Sequence, residues 1–336
     1  MEFLSDYAGF LIRLLSIALV IVLILSSLAS IKSKNHKGKG SLQVAEISEE
    51  VQQTKRHMQQ ELLDKKTFKA LQKSEKRSKK QKSSPSRNVF VVEFDGDIQA
   101  SATDSLREEI SAILSVASTA DEVVVKLESG GGVVHGYGLA ASQLQRIKDK
   151  GIGLTVCIDK VAASGGYMMA CVADKVVAAP FAIVGSIGVV AQIPNIHRLL
   201  DKNDIDVELH TAGQFKRTLT VLGENTEEGR EKFKQDLERT HELFKRHVAL
   251  HRPALDIDEI ATGEVWYGSE AKDLGLVDVI QTSDDYVLDR CVEAKVIQVN
   301  YRKARPVSER LGLSAMAVLE ERARYWIGKI MQHRGF

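Results

Sequence analysis

The sequence predicts an α/β protein whose parallel strands follow one N-terminal membrane-spanning helix. Residues Leu14–Ile31 run for eighteen positions without a charge, enough for a helix to cross a bilayer core. From Val89 onward, short β-branched runs alternate with stretches of helical period, the pattern of parallel α/β units. Glycine clusters at Ser129-Gly130-Gly131-Gly132 and Ser164-Gly165-Gly166 each follow a predicted strand. In such folds the carboxyl ends of strands line the ligand crevice.

The uncharged run predicts an uncleaved anchor over residues 1–31. Ser27-Leu28-Ala29 resembles a cleavage site, but a cleaved signal peptide has a shorter apolar region and a basic leader. Here the leader holds Glu2 and Asp6 against Arg13 alone. Lys32, Lys34, Lys37 and Lys39 follow the span directly, which by the positive-inside rule places the C-terminal side in the cytoplasm.

Residues 32–88 read as a basic polar linker, helical in part. Lys32–Arg87 holds sixteen Lys/Arg against six Asp/Glu. A polar segment to about Leu71 has helical potential, whereas Gln72–Asn88 has almost no apolar residue and is expected to stay solvated, touching anionic lipid only incidentally.

The globular domain is predicted over 89–300. Its strands are Val89–Phe94, Glu122–Leu127, Leu154–Ile158, Val176–Ala179 and Val207–His210. Its helices are Leu106–Val116, Tyr137–Lys150, Met168–Ala173 and the long amphipathic Thr226–Leu250, with Phe233, Leu237, Leu243, Phe244 and Val248 as apolar contacts. Val176–Ile193 is also uncharged, but Pro180, Gly185 and Gly188 interrupt it, favouring short buried strands over a second span. Residues 301–336 form a C-terminal tail in which Ser308–Met331 shows one apolar helical stripe.

Composition excludes some functions. With 44% apolar residues most of the chain of 336 can bury a core, and a net charge of +1 gives no global pull toward nucleic acid. Cys157, Cys171 and Cys291 are scattered and odd in number, so buried free thiols are expected rather than disulfides or a metal site.

Ser164 is placed before a helix-like stretch, where backbone N–H groups stabilise an oxyanion and glycines admit a substrate carbonyl. An ordinary glycine-rich cap explains that motif alone; its pairing with the Ser129–Gly132 turn raises the odds of a site. A base is harder to select. His241, His247 and His251 share the long helix without a carboxylate set that would complete a metal site, and His135 lies close to the glycine turn. Lysine serves as base when burial leaves it neutral, but nothing in the sequence physics singles out Lys216.

The stretches Leu127–Gly132, Tyr137–Gln145, Lys160–Asp174, Phe181–Val190, His210–Glu228 and Gly263–Asp278 occur in the order found in the signal-peptide-peptidase-type serine peptidases, which the chain resembles over nearly its whole length. The resemblance implies a ClpP/crotonase-like fold of repeated β-β-α units, assembled as a homo-oligomer, and a bacterial inner-membrane location. It implies a Ser–Lys dyad with Ser164 as nucleophile and Lys216 as base, Ser186 orienting the lysine, and an oxyanion hole at Gly131 and Gly165. Neither metal nor organic cofactor is implied, and the expected substrates are short apolar or signal-peptide-like peptides. The sequence departs from the family's Ser-Pro-Gly-Gly at Gly130, which frees the turn before the oxyanion glycine. Relatives act on the outer side of the membrane, opposite to the side that Lys32–Lys39 favours. Two rival readings are an acyl-CoA enzyme and a non-catalytic membrane scaffold on the same fold.

Overall fold

The structure is a computed structural model that describes residues 40–81 and 87–303. The chain divides into two compact units. The larger, Leu42–Tyr301, is the one described here; of the other, only residues 40–41 and 302–303 are described. The anchor run Leu14–Ile31 and the C-terminal stripe Ser308–Met331 lie outside the described residues. Among the described residues no helix is long and apolar enough to cross a membrane.

In chain order the first elements are β1 (Ser41–Glu46), α1 (Ile47–Leu62) and α2 (Lys65–Gln81). The helix α2 runs ten residues into the stretch from Gln72 that its polarity predicts to be solvated linker. Lys, Gln, Glu and Arg are good helix formers, and an exposed helix needs no apolar face to persist beside a stable element. Strand β1 is also unanticipated, because six residues of mixed polarity carry no clear alternation.

The central elements are β2 (Asn88–Gly96), α3 (Thr103–Leu114), β3 (Glu122–Ser129), α4 (Val134–Asp149), β4 (Gly153–Ile158), β5 (Val161–Ala163), α5 (Gly165–Ala170), β6 (Lys175–Ala178) and β7 (Ile183–Gly185). After them come α6 (His197–Asp201), α7 (Glu227–His251), α8 (Ile257–Ile260), β8 (Val265–Tyr267), α9 (Gly268–Asp273), β9 (Val279–Ile280), α10 (Ser283–Glu293) and β10 (Lys295–Arg302). The sheet runs β1-β10-β2-β3-β4-β6-β9, and a branch of β5, β7 and β8 leaves it at β3. Every pair from β10 through β9 is parallel, as is β5 with β7, while β7 and β8 are antiparallel. The result is a mixed α/β sheet fold.

Both faces of this sheet are covered, which explains why its strands read as continuous apolar runs. On one face Phe90, Val92, Phe94, Val123, Val125 and Leu127 pack with Leu106, Ile110, Leu144 and Ile147 of α3 and α4. On the other, Val89, Val91, Val124, Cys157 and Val177 meet Tyr286 and Val287 of α10. Helix α7 is capped by Thr226, whose Oγ1 accepts from Gly229 N, with Glu227 and Glu228 at the positive dipole end. It buries Phe244 and Val248, whereas Leu243, predicted as a contact, is exposed.

The branch point positions the site. Strand β3 pairs with β4 as far as Lys126↔Cys157, then hands its last residue, Ser129, to Ala162 of β5. The sheet splits there, and both glycine clusters sit at the carboxyl ends of the strands that part. The predicted strand at Val207–His210 does not form. Residues 205–226 hold neither helix nor strand, and Ile205, Val207 and Leu209 are exposed rather than paired.

Candidate active site

Ser164 follows β5 and precedes α5 with φ 52° and ψ −116°. That combination is outside the regions a side-chain-bearing residue favours and costs roughly 1–3 kcal/mol. The surroundings over-determine it. Ala163 lies in register with Gly185 of β7, and the Ser164 N–H donates to the Gly185 carbonyl at 2.8 Å. On the other side the Ser164 carbonyl accepts from Met168 N at 2.9 Å and starts the helix. Nucleophilic serines on sharp strand-to-helix turns share this arrangement, which presents the hydroxyl at the edge of a sheet. The Ser164 side chain makes no capping bond to its helix and is half-buried.

Gly131 stands against this turn. Its φ is +88°, and a Cβ placed on it would lie 2.7 Å from both Ser164 Cβ and Gly165 N. No other residue type fits there. The backbone of the Ser129–Gly132 turn therefore meets the Ser164 turn directly. The Gly131 N–H itself donates to Ser129 Oγ at 3.1 Å. Among the described residues the Gly132 N–H has no hydrogen-bond acceptor. Gly165 is the first residue of α5, where an N–H lacks an intrahelical partner.

Ser186 is brought to the same place. It follows Gly185 as Ser164 follows Ala163, so the two serines leave neighbouring parallel strands at matched positions. It too has φ 52°, and its N–H donates to Glu264 O at 2.6 Å. Lys216 is placed differently. It is exposed in the irregular segment, where its N–H closes a turn onto Gly213 O at 3.1 Å. Its neighbours lean on the start of α7: Gln214 Nε2 donates to Glu228 Oε1, and Lys232 Nζ sits 5.7 Å above the Phe215 ring. Among the described residues no hydrogen bond joins Lys216 to Ser164 or Ser186.

The other chemistry-bearing candidates have structural employment. His247 Nε2 contacts Met168 O at 2.9 Å and His241 Nε2 contacts Ile187 O at 3.2 Å, so both tie α7 to the body. Burial lowers the His247 pKa and keeps its ring neutral near pH 7. His135 is exposed on the first turn of α4. Cys157 and Cys171 are buried, and burial pushes the Cys157 thiol up to about 12, which leaves it unreactive. Cys291 is only half-buried, against expectation. Two site residues escape sequence reasoning, Ser129 and Tyr137, whose hydroxyls meet at 2.5 Å behind the glycine turn. A serine two residues before a tight glycine is the one signal available, since serine hydroxyls cap such turns.

Comparison with known proteins gives this geometry a family. Residues 2–144 match Peptidase family S49 N-terminal, and residues 146–296 match Peptidase family S49. The chain is 50% identical over 329 residues to the probable protease SohB of Haemophilus influenzae, covering 94% of this chain and 93% of the relative. It is 45% identical over 319 residues to the putative protease SohB of Buchnera aphidicola subsp. Baizongia pistaciae, covering 90% and 91%. Among solved structures, a 1510-N membrane-bound stomatin-specific protease aligns with a TM-score of 0.41 at 14% identity, covering 61% of this chain and 84% of the other. The family models and the SohB relatives make the molecule a peptidase. It belongs to peptidase family S49.

Proposed function

We propose that the chain is a membrane-anchored serine endopeptidase with a ClpP/crotonase-like fold, acting through an acyl-enzyme on Ser164. The observation that carries this reading is the strained Ser164 turn with the Gly131 backbone pressed against it. Backbone strain of about 1–3 kcal/mol, held by surrounding structure, clusters at active sites and ligand clamps.

In the proposed cycle Lys216, as a neutral amine, takes the Ser164 proton while Oγ attacks the peptide carbonyl carbon. The oxyanion is held by the Gly165 N–H and, from the glycine turn, by the Gly132 N–H, because the Gly131 N–H is spent on Ser129 Oγ. The C–N bond then breaks, the Lys216 ammonium gives its proton to the leaving amine, and the acyl group stays on Ser164. Lys216 next takes a proton from water as the water oxygen bonds to the acyl carbon. The C–Oγ bond then breaks, the acid product leaves, and the Lys216 ammonium returns its proton to Ser164 Oγ. Ser186, at the end of β7 beside Ser164, orients the lysine. The substrates are short apolar or signal-peptide-like peptides, and no cofactor takes part.

Lys216 must be carried to Ser164 and desolvated there. Support for such a step comes from residues 189–226, which expose Val190, Ile196, Leu199, Val207, Leu209 and Phe215 in one segment. Exposed apolar clusters of this kind mark association surfaces. The reading is a homo-oligomer in which this segment is covered and the lysine ordered. Anchoring by Leu14–Ile31 in a bacterial inner membrane completes it, with Lys32–Lys39 favouring a cytoplasmic domain.

The test is reaction of the detergent-solubilised protein with a fluorophosphonate, the adduct located by peptide mapping. Labelling at Ser164 that Ser164→Ala and Lys216→Ala both remove is expected. A folded, assembled wild type that stays unlabelled contradicts the proposal.

A further inference from the structure

Behind the glycine turn two buried side chains form a chain of hydrogen bonds that the reaction itself does not use. Ser129 is 2% exposed and Tyr137 is fully buried. Gly131 N–H donates to Ser129 Oγ at 3.1 Å, the two hydroxyl oxygens lie 2.5 Å apart, and Tyr137 Oη donates to Asp97 O at 2.7 Å. Each hydroxyl has one proton to give. Since Tyr137 spends its own on Asp97 O, the 2.5 Å contact is donated by Ser129; the Gly96 carbonyl, 3.4 Å from Ser129 Oγ, is the longer alternative. The direction is then uniform, from Gly131 N–H through Ser129 and Tyr137 to Asp97 O, and bonds running one way polarise one another.

The surrounding backbone leaves room for this pair and little else. A Cβ on Gly96 would fall 2.5 Å from Ser129 Oγ and 2.6 Å from Tyr137 Oη. A Cβ on Gly165 would run into the Tyr137 ring. Tyr137 thus touches both halves of the proposed oxyanion hole, its ring against Gly165 and its hydroxyl on the link to Gly131. The turn it serves has special need of restraint. Gly130, Gly131 and Gly132 are consecutive, and three glycines in a row would otherwise be the loosest backbone in the site.

We infer that Ser129 and Tyr137 are positioning residues, clamping the glycine turn against Ser164 and Gly165. The inference rests on the acyl-transfer reading of Ser164 for its catalytic consequence, but the clamp itself is a statement about the turn. Removing a single oxyanion donor costs a serine hydrolase about 10²–10³ in rate, so mispositioning one by loosening the clamp costs a fraction of that.

Two variants test it, Tyr137→Phe and Ser129→Ala, in the full chain. The first readout is amide hydrogen exchange over residues 129–134. Tyr137→Phe is expected to speed exchange there about tenfold while leaving β3 and β4 protected as in the wild type. The second is fluorophosphonate labelling separated into reversible binding and the covalent step. The covalent step at Ser164 should slow about tenfold in Tyr137→Phe and further in Ser129→Ala, with reversible binding unchanged. The double variant should be no worse than Ser129→Ala alone, because both break one chain. Unchanged protection of the turn in Tyr137→Phe overturns the clamp. So does a loss shared equally by reversible binding and by exchange throughout the sheet, which is what a merely structural hydroxyl would produce. If Ser129→Ala does not fold, Tyr137→Phe decides alone. If the wild type does not label at Ser164, the acyl-transfer reading falls while the exchange result still decides the clamp.

Discussion

The body of strands β2 to β7 and the segment 189–226 hold the two halves of one proposed dyad, and they are built in opposite ways. Ser164 sits where two parallel strands end, its φ of 52° held by bonds to Gly185 and Met168, with glycine backbone against its Cβ. In the same body Val92, Val123, Val125 and Tyr167 are buried, and the sheet is covered on both faces. Lys216 sits on exposed backbone with neither helix nor strand for support, among apolar side chains that face outward. The contrast teaches where the control lies. A nucleophile needs a fixed position, and the body supplies it. A lysine base needs a dry one, which in the proposed assembly comes from covering the exposed segment.

Activity should separate these regions most sharply. Ser164→Ala and Lys216→Ala are each expected to cut peptide hydrolysis by about 10³-fold or more, the scale seen when a member of a catalytic unit is removed. Lys216→Ala should nevertheless leave the urea midpoint of the subunit in place, since an exposed side chain without a partner contributes within about 0.5 kcal/mol. A shifted midpoint would mean that the segment is part of the packed body after all.

Packing gives the next largest contrast. Leu144→Ala, in the fully buried face of α4, should destabilise by about 2–5 kcal/mol, whereas Leu209→Ala should stay within about 0.5 kcal/mol when measured on dissociated subunits. Equal costs would erase the distinction between body and segment.

A pH effect is expected in the body. Glu109 is 3% exposed, accepts from Tyr301 N at 2.7 Å, and has its pKa raised from 4.5 to about 7, mainly by burial. The folded state thus binds this proton more tightly than the unfolded chain, so stability falls as pH rises from about 4.5 to about 7 and then levels. Glu109→Gln should flatten that slope in urea titrations across the range. A modest gain in stability is expected at Ser164. Ser164→Gly relieves the positive-φ strain and should raise stability by about 1 kcal/mol, net of glycine's entropy, while abolishing activity.

How legible each part was in the sequence follows the same division. The strands of the body announce themselves because burial on both faces demands unbroken apolar runs, as in Val89–Phe94 and Leu154–Ile158. The glycine turns were legible for the complementary reason that backbone pressed on backbone admits no side chain. Val207–His210 has strand-like composition, yet strand formation needs a partner edge and none is offered to it among the described residues. The helical course of α2 past Gln72 was hidden by its polarity, which argues against a core but not against a helix. Tyr137 looked like one more apolar helix residue. Its role depends on a contact eight residues back across a turn, which no periodicity encodes. Lys216 stood out through family resemblance alone, since its value as a base depends on surroundings that local sequence does not describe.

The most direct test of the account is the labelling rate of Ser164 measured against the state of assembly. Full-length protein in detergent would be diluted through the range in which sedimentation shows it dissociating, and the fluorophosphonate rate per subunit followed alongside hydrogen exchange of β3 and β4. The account predicts that labelling falls with the assembled fraction while the strands stay protected, because the nucleophile is ready-made and the lysine is not. Dissociated subunits that label as fast as assembled ones would contradict it.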